Sequence, residues 1–358
     1  MIVCSLWLTA CVAQTLNPTP ALDTSFDTPT LTPDTVFATS TNTPFPSATI
    51  VFTPTPTPEN TPAIQFPLRS LIHDLHWSAD GSQLAIAAGT DVHLYDASLK
   101  EQHIIALGLW AERIVFHPSQ PVLGGALNDG SVRFWDTANG EETCKFTAHT
   151  KGANSLSFQP GGNLLATTGT DIISRMWDIS SVLAGGCDVK PVGQLIGSSF
   201  TAPAITFSAD GQTFALVDIK DVYLRESQTR KLIAVLGSDL SVFDIALSPD
   251  GHWLAVAQKD ATLTLWDLTA KPKPTSTQLQ LPLSKPKTYT WRVAFSADSH
   301  LLAGATSAGD LQVWGLPGLA PIFRRSLGRP LSALAFNPVT SMLAVGTLDG
   351  SVWFYAIE

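Results

Sequence analysis

Apolar and polar residues alternate in short runs from about residue 63 to the end of the chain, and Gly, Asp, Asn and Pro separate the runs. The stretch after Phe116 is typical: apolar residues fill 122–126, turn formers follow at 128–130, and a second apolar run begins at Val132. Such alternation, bounded by turn residues, predicts β-strands. Runs this close together predict small antiparallel meanders.

One phrase recurs through this region. It consists of an apolar residue, a variable residue and a large anchor residue that is usually Phe. Ser-x-Asp follows the anchor in four copies, three of which continue with Gly, and most copies have a second aromatic residue about nineteen positions after the anchor. Successive anchors lie 39 to 49 residues apart, which is the period of a repeat protein. The seven anchors are Trp77, Phe116, Phe158, Phe207, Leu247, Phe295 and Phe336.

The repeated phrase and the Trp-Asp pairs at 135–136, 177–178 and 266–267 resemble the WD-repeat β-propeller family. The resemblance covers the chain from about residue 63 to its C terminus. It implies an all-β fold, a seven-bladed β-propeller of four-stranded antiparallel blades around a central channel. One meander cannot bury both of its faces, so each blade needs its neighbours.

Closure of the ring depends on a segment that precedes the first repeat. The chain stops at Glu358, after the third strand of the seventh unit. The strand-like run at 63–68 is the remaining unassigned one, and we expect it to supply the fourth strand of the last blade, as in other members of the family.

The resemblance also implies a structural tetrad within a blade, in which a His, a Ser or Thr, a turn Asp and a Trp bond to one another. The third unit retains all four as His149, Thr167, Asp171 and Trp177. His149 and Asp171 could instead form a catalytic pair, but a buried imidazole and carboxylate that satisfy each other commonly lock a fold. We therefore interpret this set as structural.

The N-terminal segment differs in character from the repeats. Residues 1–10 are mostly apolar, and Leu8-Thr9-Ala10-Cys11 resembles a bacterial lipoprotein signal, which implies cleavage before Cys11 and acylation of its thiol. The segment has no Lys or Arg, although secretory signals usually begin with positive charge. One explanation is that the true start codon lies upstream of Met1. The alternative is that the protein is cytoplasmic and has an apolar N-terminal stub.

Thr, Pro, Ser and Ala dominate residues 11–62, which contain no Lys or Arg. This composition cannot bury enough apolar surface to offset the entropy of ordering, so it predicts a disordered tether. The expected organisation is a signal peptide at 1–10, a linker at 11–62 and a propeller at 63–358. Membrane association would then rest on the lipid at Cys11, since the sequence has no run long enough to span a bilayer.

Charge and cysteine content narrow the function classes. A net charge of −9 argues against nucleic-acid binding, which needs a basic footprint. Cys144 and Cys187 are an even pair that permits a disulfide if the protein is exported, but two free thiols remain the alternative. Neither has the neighbouring ligands of a metal site, and no catalytic or cofactor-binding motif occurs, so we expect no metal, cofactor or catalytic residue.

The remaining candidates for function are the residues three and four positions before each anchor, which in the family lie where the inner strand enters from the top face. Two adjacent units carry an aromatic residue and a charged residue there, and such residues are favoured interface anchors. Packing between blades is the alternative role for the aromatics. The candidate partner-binding residues are Phe243, Asp244, Trp291, Arg292, His73, Glu112, Arg113 and Asn154.

The leading interpretation is a monomeric, non-catalytic scaffold that binds a protein or peptide and is lipid-anchored on the extracytoplasmic face of a bacterial membrane. A second is an extracytoplasmic propeller enzyme, a hydrolase, lyase or quinone-dependent oxidoreductase. An enzyme predicts carboxylates, His or Arg converging on the channel mouth with shifted pKa values. A third is a cytoplasmic WD-repeat scaffold without a lipid.

Overall fold

In the computed structural model of this protein, the described residues form twenty-eight short strands, nearly all of five or six residues. The structure describes residues 63–66, 70–197, 204–218, 221–237, 241–281 and 288–357. The proposed signal peptide and linker therefore lie outside the described residues, as does Cys11.

The first strand, β1 (Ile64–Gln65), precedes blade 1, and the first three blades follow in chain order. Blade 1 contains β2 (Ile72–Trp77), β3 (Gln83–Ala88), β4 (Asp91–Asp96) and β5 (Glu101–Ala106). Blade 2 contains β6 (Ala111–Phe116), β7 (Val122–Leu127), β8 (Ser131–Asp136) and β9 (Glu142–Thr147). Blade 3 contains β10 (Ala153–Phe158), β11 (Leu164–Gly169), β12 (Ile173–Asp178), the short helix α1 (Ser180–Leu183) and β13 (Lys190–Gly197).

The last four blades repeat the same order. Blade 4 contains β14 (Ile205–Phe207), β15 (Thr213–Asp218), β16 (Asp221–Glu226) and β17 (Leu232–Leu236). Blade 5 contains β18 (Val242–Leu247), β19 (Trp253–Gln258), β20 (Thr262–Asp267) and β21 (Thr275–Gln280). Blade 6 contains β22 (Thr290–Phe295), β23 (Leu301–Thr306), β24 (Asp310–Gly315) and β25 (Ala320–Ser326). Blade 7 contains β26 (Leu331–Phe336), β27 (Met342–Thr347) and β28 (Ser351–Ala356), and it is completed by β1.

The predicted propeller is confirmed: seven sheets of four antiparallel strands each form one blade. The inner strands lie side by side around the ring, so that β2 of blade 1 packs beside both β6 and β26. The repeat seen in the sequence is thus one blade per period.

The apolar core of the ring is divided among the gaps between blades. Each of the seven buried clusters draws its residues from two adjacent sheets, and none belongs to one sheet alone. Between blades 2 and 3, for example, Phe134 of one sheet packs at 6.2 Å from the ring of the anchor Phe158 of the next. The anchors recur because every inner strand must fill such a gap.

The predicted closing strand is confirmed. Strand β1 pairs with β28, and the amides of Ala63 and Phe66 donate to the carbonyls of Val352 and Gly350, each at 2.9 Å. Phe66 is buried in the cluster between blades 7 and 1. Residues 67 and 68 of the predicted run lie outside the described part of the chain.

Cys144 and Cys187 form a disulfide, which decides an alternative that the sequence left open. Cys144 lies on β9, the outer strand of blade 2, and Cys187 lies between α1 and β13 of blade 3. Their α-carbons are 5.1 Å apart. The bond therefore joins two adjacent blades at the outside of the ring.

We predict that Phe66→Ala weakens ring closure. A buried Phe truncated to Ala typically costs about 3 kcal/mol or more, and here the loss falls on the gap that a two-residue strand closes. The free energy of unfolding from urea denaturation should fall by about that amount. Val339→Ala is the matched control, because Val339 is 69% exposed and its truncation should cost less than about 0.5 kcal/mol. Equal stability of the two variants would contradict the prediction.

Candidate functional site at the channel mouth

A bulge shapes the inner strand of six blades at the end where the strand begins. In each, the pairing with the second strand shifts register around the residue four positions before the anchor. The inner strand of blade 4 begins at Ile205, and the residues just before Ala204 lie outside the described residues. We call this end of the channel the top mouth. Its bulge residues are His73, Glu112, Asn154, Phe243, Trp291 and Ser332.

A bulge re-aims the side chains beside it. The residues that follow the bulges, three before the anchor, include Asp74, Arg113, Ser155 and Asp244, and all four line the central channel. The sequence predicted both positions at the entry of the inner strand. Because of the bulge, the residue four before the anchor lies at the mouth and the residue three before it faces the channel.

An ion-pair network crosses the channel. Arg113 of blade 2 donates through Nη2 to Oδ1 of Asp244 of blade 5 at 2.6 Å, and its Nη1 lies 3.5 Å from Oδ1 of Asp74 of blade 1. Both carboxylates are only 3% exposed. Burial works to lower the pKa of Arg113, but the two carboxylates outweigh it and hold the pKa above its usual value.

Each of these aspartates also reaches the neighbouring blade. Asp74 accepts the amide of Ile114 at 2.9 Å, and Asp244 accepts the amide of Val293 at 3.3 Å. In both cases the donor lies on the inner strand of the next blade along the chain. The two carboxylates therefore compensate the charge of Arg113 and hold adjacent blades in register.

Arg292 directly follows its bulge, as Arg113 does, but it has different partners. It donates to the main-chain carbonyls of Trp291 at 3.2 Å and His73 at 3.5 Å, both of which are bulge residues. Its Nε is buried and has no hydrogen-bond partner. Burial, and then the positive charge of Arg113, lower the pKa of Arg292 from its ordinary value.

Aromatic side chains surround this charged centre. The rings of His73 and Trp110 are stacked at 6.2 Å with 7° between their planes, and Trp110 donates its indole N–H to Glu112 at 2.7 Å. Phe243 packs against Tyr289 at 5.3 Å. Trp110 is 42% exposed, and the other rings are partly buried.

The structure brings most of the predicted partner-binding residues together at the mouth or in the channel directly below it. Asp244 and Arg113 lie in the channel and pair with each other at 2.6 Å, and Asp244 also accepts a main-chain amide. Asn154 lies on the blade 3 side of the same mouth and is partly buried. Trp110 and Tyr289 were not among the predicted residues, because both precede the aligned positions.

The channel contains a cavity of about 430 Å³ below the ion-pair network of Arg113. Asp74, Arg113 and Asp244 line one end of it, and the turns after the inner strands, such as Pro118 and Pro160, line the other. Most of its wall is apolar. Among the polar exceptions is His76, whose pKa is lowered chiefly by burial.

The four predicted tetrad residues of blade 3 form a continuous chain of hydrogen bonds. The Trp177 indole donates to Thr167 Oγ1, Thr167 Oγ1 lies 2.9 Å from His149 Nε2, and His149 Nδ1 lies 2.9 Å from Asp171. The Thr167 hydroxyl accepts the indole N–H and is in hydrogen-bond contact with the imidazole as well. Arg175 Nη1 closes the far end of the chain, because it donates to Asp171 at 2.8 Å and lies 2.7 Å from His149 Nδ1. Burial tends to raise the pKa of Asp171, but hydrogen bonds from His149 and Arg175 lower it to about 2.

Blade 2 has a Trp at the position equivalent to Trp177 but not this chain of bonds, because the indole nitrogen of Trp135 is buried without a partner. Within the described residues there is also no group of three or more His, Cys, Asp or Glu placed to hold a metal ion. No helix in the described part of the chain is long and apolar enough to cross a membrane.

Two family models match parts of the sequence. Residues 35–179 match the model described as eukaryotic translation initiation factor eIF2A, and residues 230–267 match the model of the WD domain, G-beta repeat. Both matches overlap the repeat region, and the second lies within the fourth and fifth units.

Several known proteins resemble part of the chain. The protein LST8 homolog of Drosophila pseudoobscura pseudoobscura is 29% identical over 167 residues, which cover 46% of this chain and 51% of that protein. The nuclear distribution protein PAC1 of Arthroderma benhamiae is 26% identical over 168 residues, 44% of this chain and 35% of its own length. Periodic tryptophan protein 2 of Arabidopsis thaliana is 24% identical over 209 residues, 56% of this chain and 21% of its own. The chain thus spans about half or less of the length of these relatives.

We predict that Asp244→Asn destabilises the ring. The substitution keeps the size of the side chain but leaves the Arg113 guanidinium without its closest counter-charge, and removing one partner of a buried pair typically costs about 3 kcal/mol or more. Chemical denaturation should show this loss. Asp188→Asn makes the same charge change at an exposed pair with Lys190 and should cost less than about 1 kcal/mol. An Asp244→Asn protein as stable as Asp188→Asn would show that the channel pair does not stabilise the ring.

Proposed function

We propose that this chain, a seven-bladed propeller built from WD-type repeats, is a non-catalytic scaffold that binds a protein or peptide at its top mouth. The observation that carries the proposal is the arrangement of aromatic rings around a charged centre at one end of the channel. Aromatic and Arg side chains are the residues most often found at binding hot spots. The three relatives described above support a scaffold as well, since their names denote no catalytic reaction.

The enzyme alternative finds some support in the same place, because Asp, Arg and His do converge on the mouth. Their arrangement favours a structural role. Asp74 and Asp244 each accept from a guanidinium and from a main-chain amide, so both carboxylates are occupied by groups of the ring itself. His76 is also engaged, since its Nδ1 accepts the amide of Phe116 at 3.3 Å. A general base needs an open position toward substrate.

We further propose that the protein is exported and held at a bacterial membrane by a lipid on Cys11. The Cys144–Cys187 disulfide supports this location, because such bonds form and persist in oxidising compartments and are rare in the cytosol. The sequence of residues 8–11 and the Thr/Pro-rich composition of residues 11–62 support a cleaved, acylated and tethered protein. A cytoplasmic scaffold would need neither feature.

Localisation can be tested by mass spectrometry of the native gene product expressed in a bacterium with lipoprotein processing. We expect the membrane fraction to contain a mature chain that begins with an acylated Cys11. Cys11→Ala should abolish the acylated form, and Cys4→Ala should leave it unchanged, because Cys4 precedes the cleavage site. A soluble protein that retains Met1 would overturn the lipid anchor and favour the cytoplasmic scaffold.

Binding at the mouth can be tested by affinity selection from a synthetic library of random, N-acetylated heptapeptides. We expect the native protein to enrich a family of peptides and Trp291→Ala to bind them at least about tenfold more weakly, as truncation of a hot-spot residue does. Ile233→Ala removes an exposed side chain from the outer strand β17 and should bind like the native protein. Equal affinities of the two variants would place binding elsewhere, and a selection without enrichment would contradict a peptide-binding mouth.

A further inference from the structure

We propose that the top mouth binds a carboxylate of its peptide partner, from an acidic side chain or a free C terminus, and that Arg292 is the residue that takes it. This inference rests on the proposed scaffold function and names the chemistry of the ligand. It is based on a difference between Arg113 and Arg292 in the groups that accept their hydrogen bonds.

Arg113 is already neutralised. It lies between two buried carboxylates, at 2.6 Å from Asp244 and 3.5 Å from Asp74, and it is 19% exposed. A ligand anion approaching Arg113 would have to displace an internal carboxylate that also holds a neighbouring blade. Arg113 is therefore part of the framework.

Arg292 has no such partner in the described part of the chain. Its guanidinium bonds to two main-chain carbonyls, and one of these bonds is long, at 3.5 Å. A carbonyl offers a partial negative charge, so these bonds orient the group without neutralising it. Guanidinium also carries more N–H donors than two carbonyls accept, and Nε is among those left unsatisfied.

Arg292 stands at the same strand position as Arg113, three residues before its anchor, but the two arginines have different surroundings. Arg113 lines the cavity below the network together with Asp74 and Asp244. The Arg292 guanidinium bonds instead to the carbonyls of two bulge residues at the top mouth. A peptide at the top mouth can therefore contact Arg292 without displacing the carboxylates that hold Arg113.

The surrounding charge favours a monoanion over a phosphate. Asp74, Asp244 and Glu112 are all close enough to act on the Arg292 guanidinium electrostatically. A dianionic phosphate would be repelled by these carboxylates, whereas one carboxylate can pair with the planar fork of the guanidinium through two parallel hydrogen bonds. Burial of the site strengthens such a pair, because the local dielectric is low.

The aromatic rings indicate that the carboxylate belongs to a peptide. The His73–Trp110 stack and the Phe243–Tyr289 pair flank the mouth, and Trp291 adjoins the guanidinium in sequence. These rings offer partly exposed apolar surface on which the neighbouring residues of a peptide can pack. A small free acid would leave that surface uncovered.

The test uses the peptides selected by the native protein, prepared with free and with amidated C termini. We expect the enriched peptides to share an Asp or Glu at one position, or to need a free C terminus, and these two results distinguish the source of the carboxylate. Fluorescence anisotropy of a labelled peptide should show a loss of affinity of at least about tenfold for Arg292→Gln, because the buried charge of the peptide loses its partner. Arg324→Gln is the matched control, since it makes the same charge change at an exposed position of β25.

A change in the peptide supplies the second arm of the test. Replacing the shared Glu by Gln, or amidating the terminus, should weaken binding to the native protein and have little further effect in Arg292→Gln. The melting temperature of Arg292→Gln will show whether this variant folds. If it does not, the effect of the peptide change on binding to the native protein still tests whether the mouth takes a carboxylate. Peptides no more acidic than the library, or equal affinity for Arg292→Gln and Arg324→Gln, would overturn the carboxylate site.

The two proposals fail in different ways. If Trp291→Ala weakens binding and Arg292→Gln does not, the scaffold stands and the carboxylate site falls. If no peptide is enriched by the native protein, both fall together.

Discussion

The structure depends on apolar packing between blades. Each of the seven buried clusters takes its residues from two neighbouring sheets, so no blade has a core of its own and none is stable without both neighbours. The gap between blades 7 and 1 joins the beginning of the described chain to its end, and there the two-residue strand β1 and the buried ring of Phe66 complete the circle. Closure converts seven weak sheets into one cooperative unit.

The charged centre of the channel is a consequence of the same constraint. Inner strands converge at the axis, where the side chains beside each bulge must face one another rather than solvent. Asp74 and Asp244 are satisfied in this buried position in two ways: each pairs with Arg113, and each accepts an amide from the next blade. A buried charge pair is seldom worth more than well-packed apolar residues, but it fixes which partners can meet. The network thus links blade 1 to blade 2 and blade 5 to blade 6 through the two aspartates, and blade 2 to blade 5 through Arg113.

Features encoded locally could be predicted from the sequence, and features created by the ring could not. The anchors and the turns follow from apolar periodicity and turn chemistry within one period, and the closing strand was expected from the resemblance to the WD-repeat family. Arg113 and Asp244, by contrast, are 131 residues apart and meet because their blades face each other across the channel. The disulfide was open for the same reason: spacing does not show that the outer strand with Cys144 lies beside the insertion with Cys187. Trp110 precedes the repeat positions, so alignment of the units gave no reason to select it.

Packing between blades also explains why a blade can lack the hydrogen-bonded tetrad and still fold. In blade 3 the indole of Trp177 is satisfied by Thr167, whereas in blade 2 Gly125 lies against the ring of Trp135, whose indole nitrogen is buried without a partner. That unsatisfied donor costs about 1–3 kcal/mol, yet Trp135 remains fully buried because its ring fills the gap between blades 1 and 2. A blade therefore does not need the hydrogen bonds of the tetrad where apolar side chains fill the space between it and its neighbour. At the top mouth, Arg113 pairs with two carboxylates that also hold neighbouring blades, whereas Arg292 bonds to main-chain carbonyls alone within the described residues. The structural role that explains the His149–Asp171 pair therefore explains Arg113 and leaves Arg292 as the residue with capacity for a ligand.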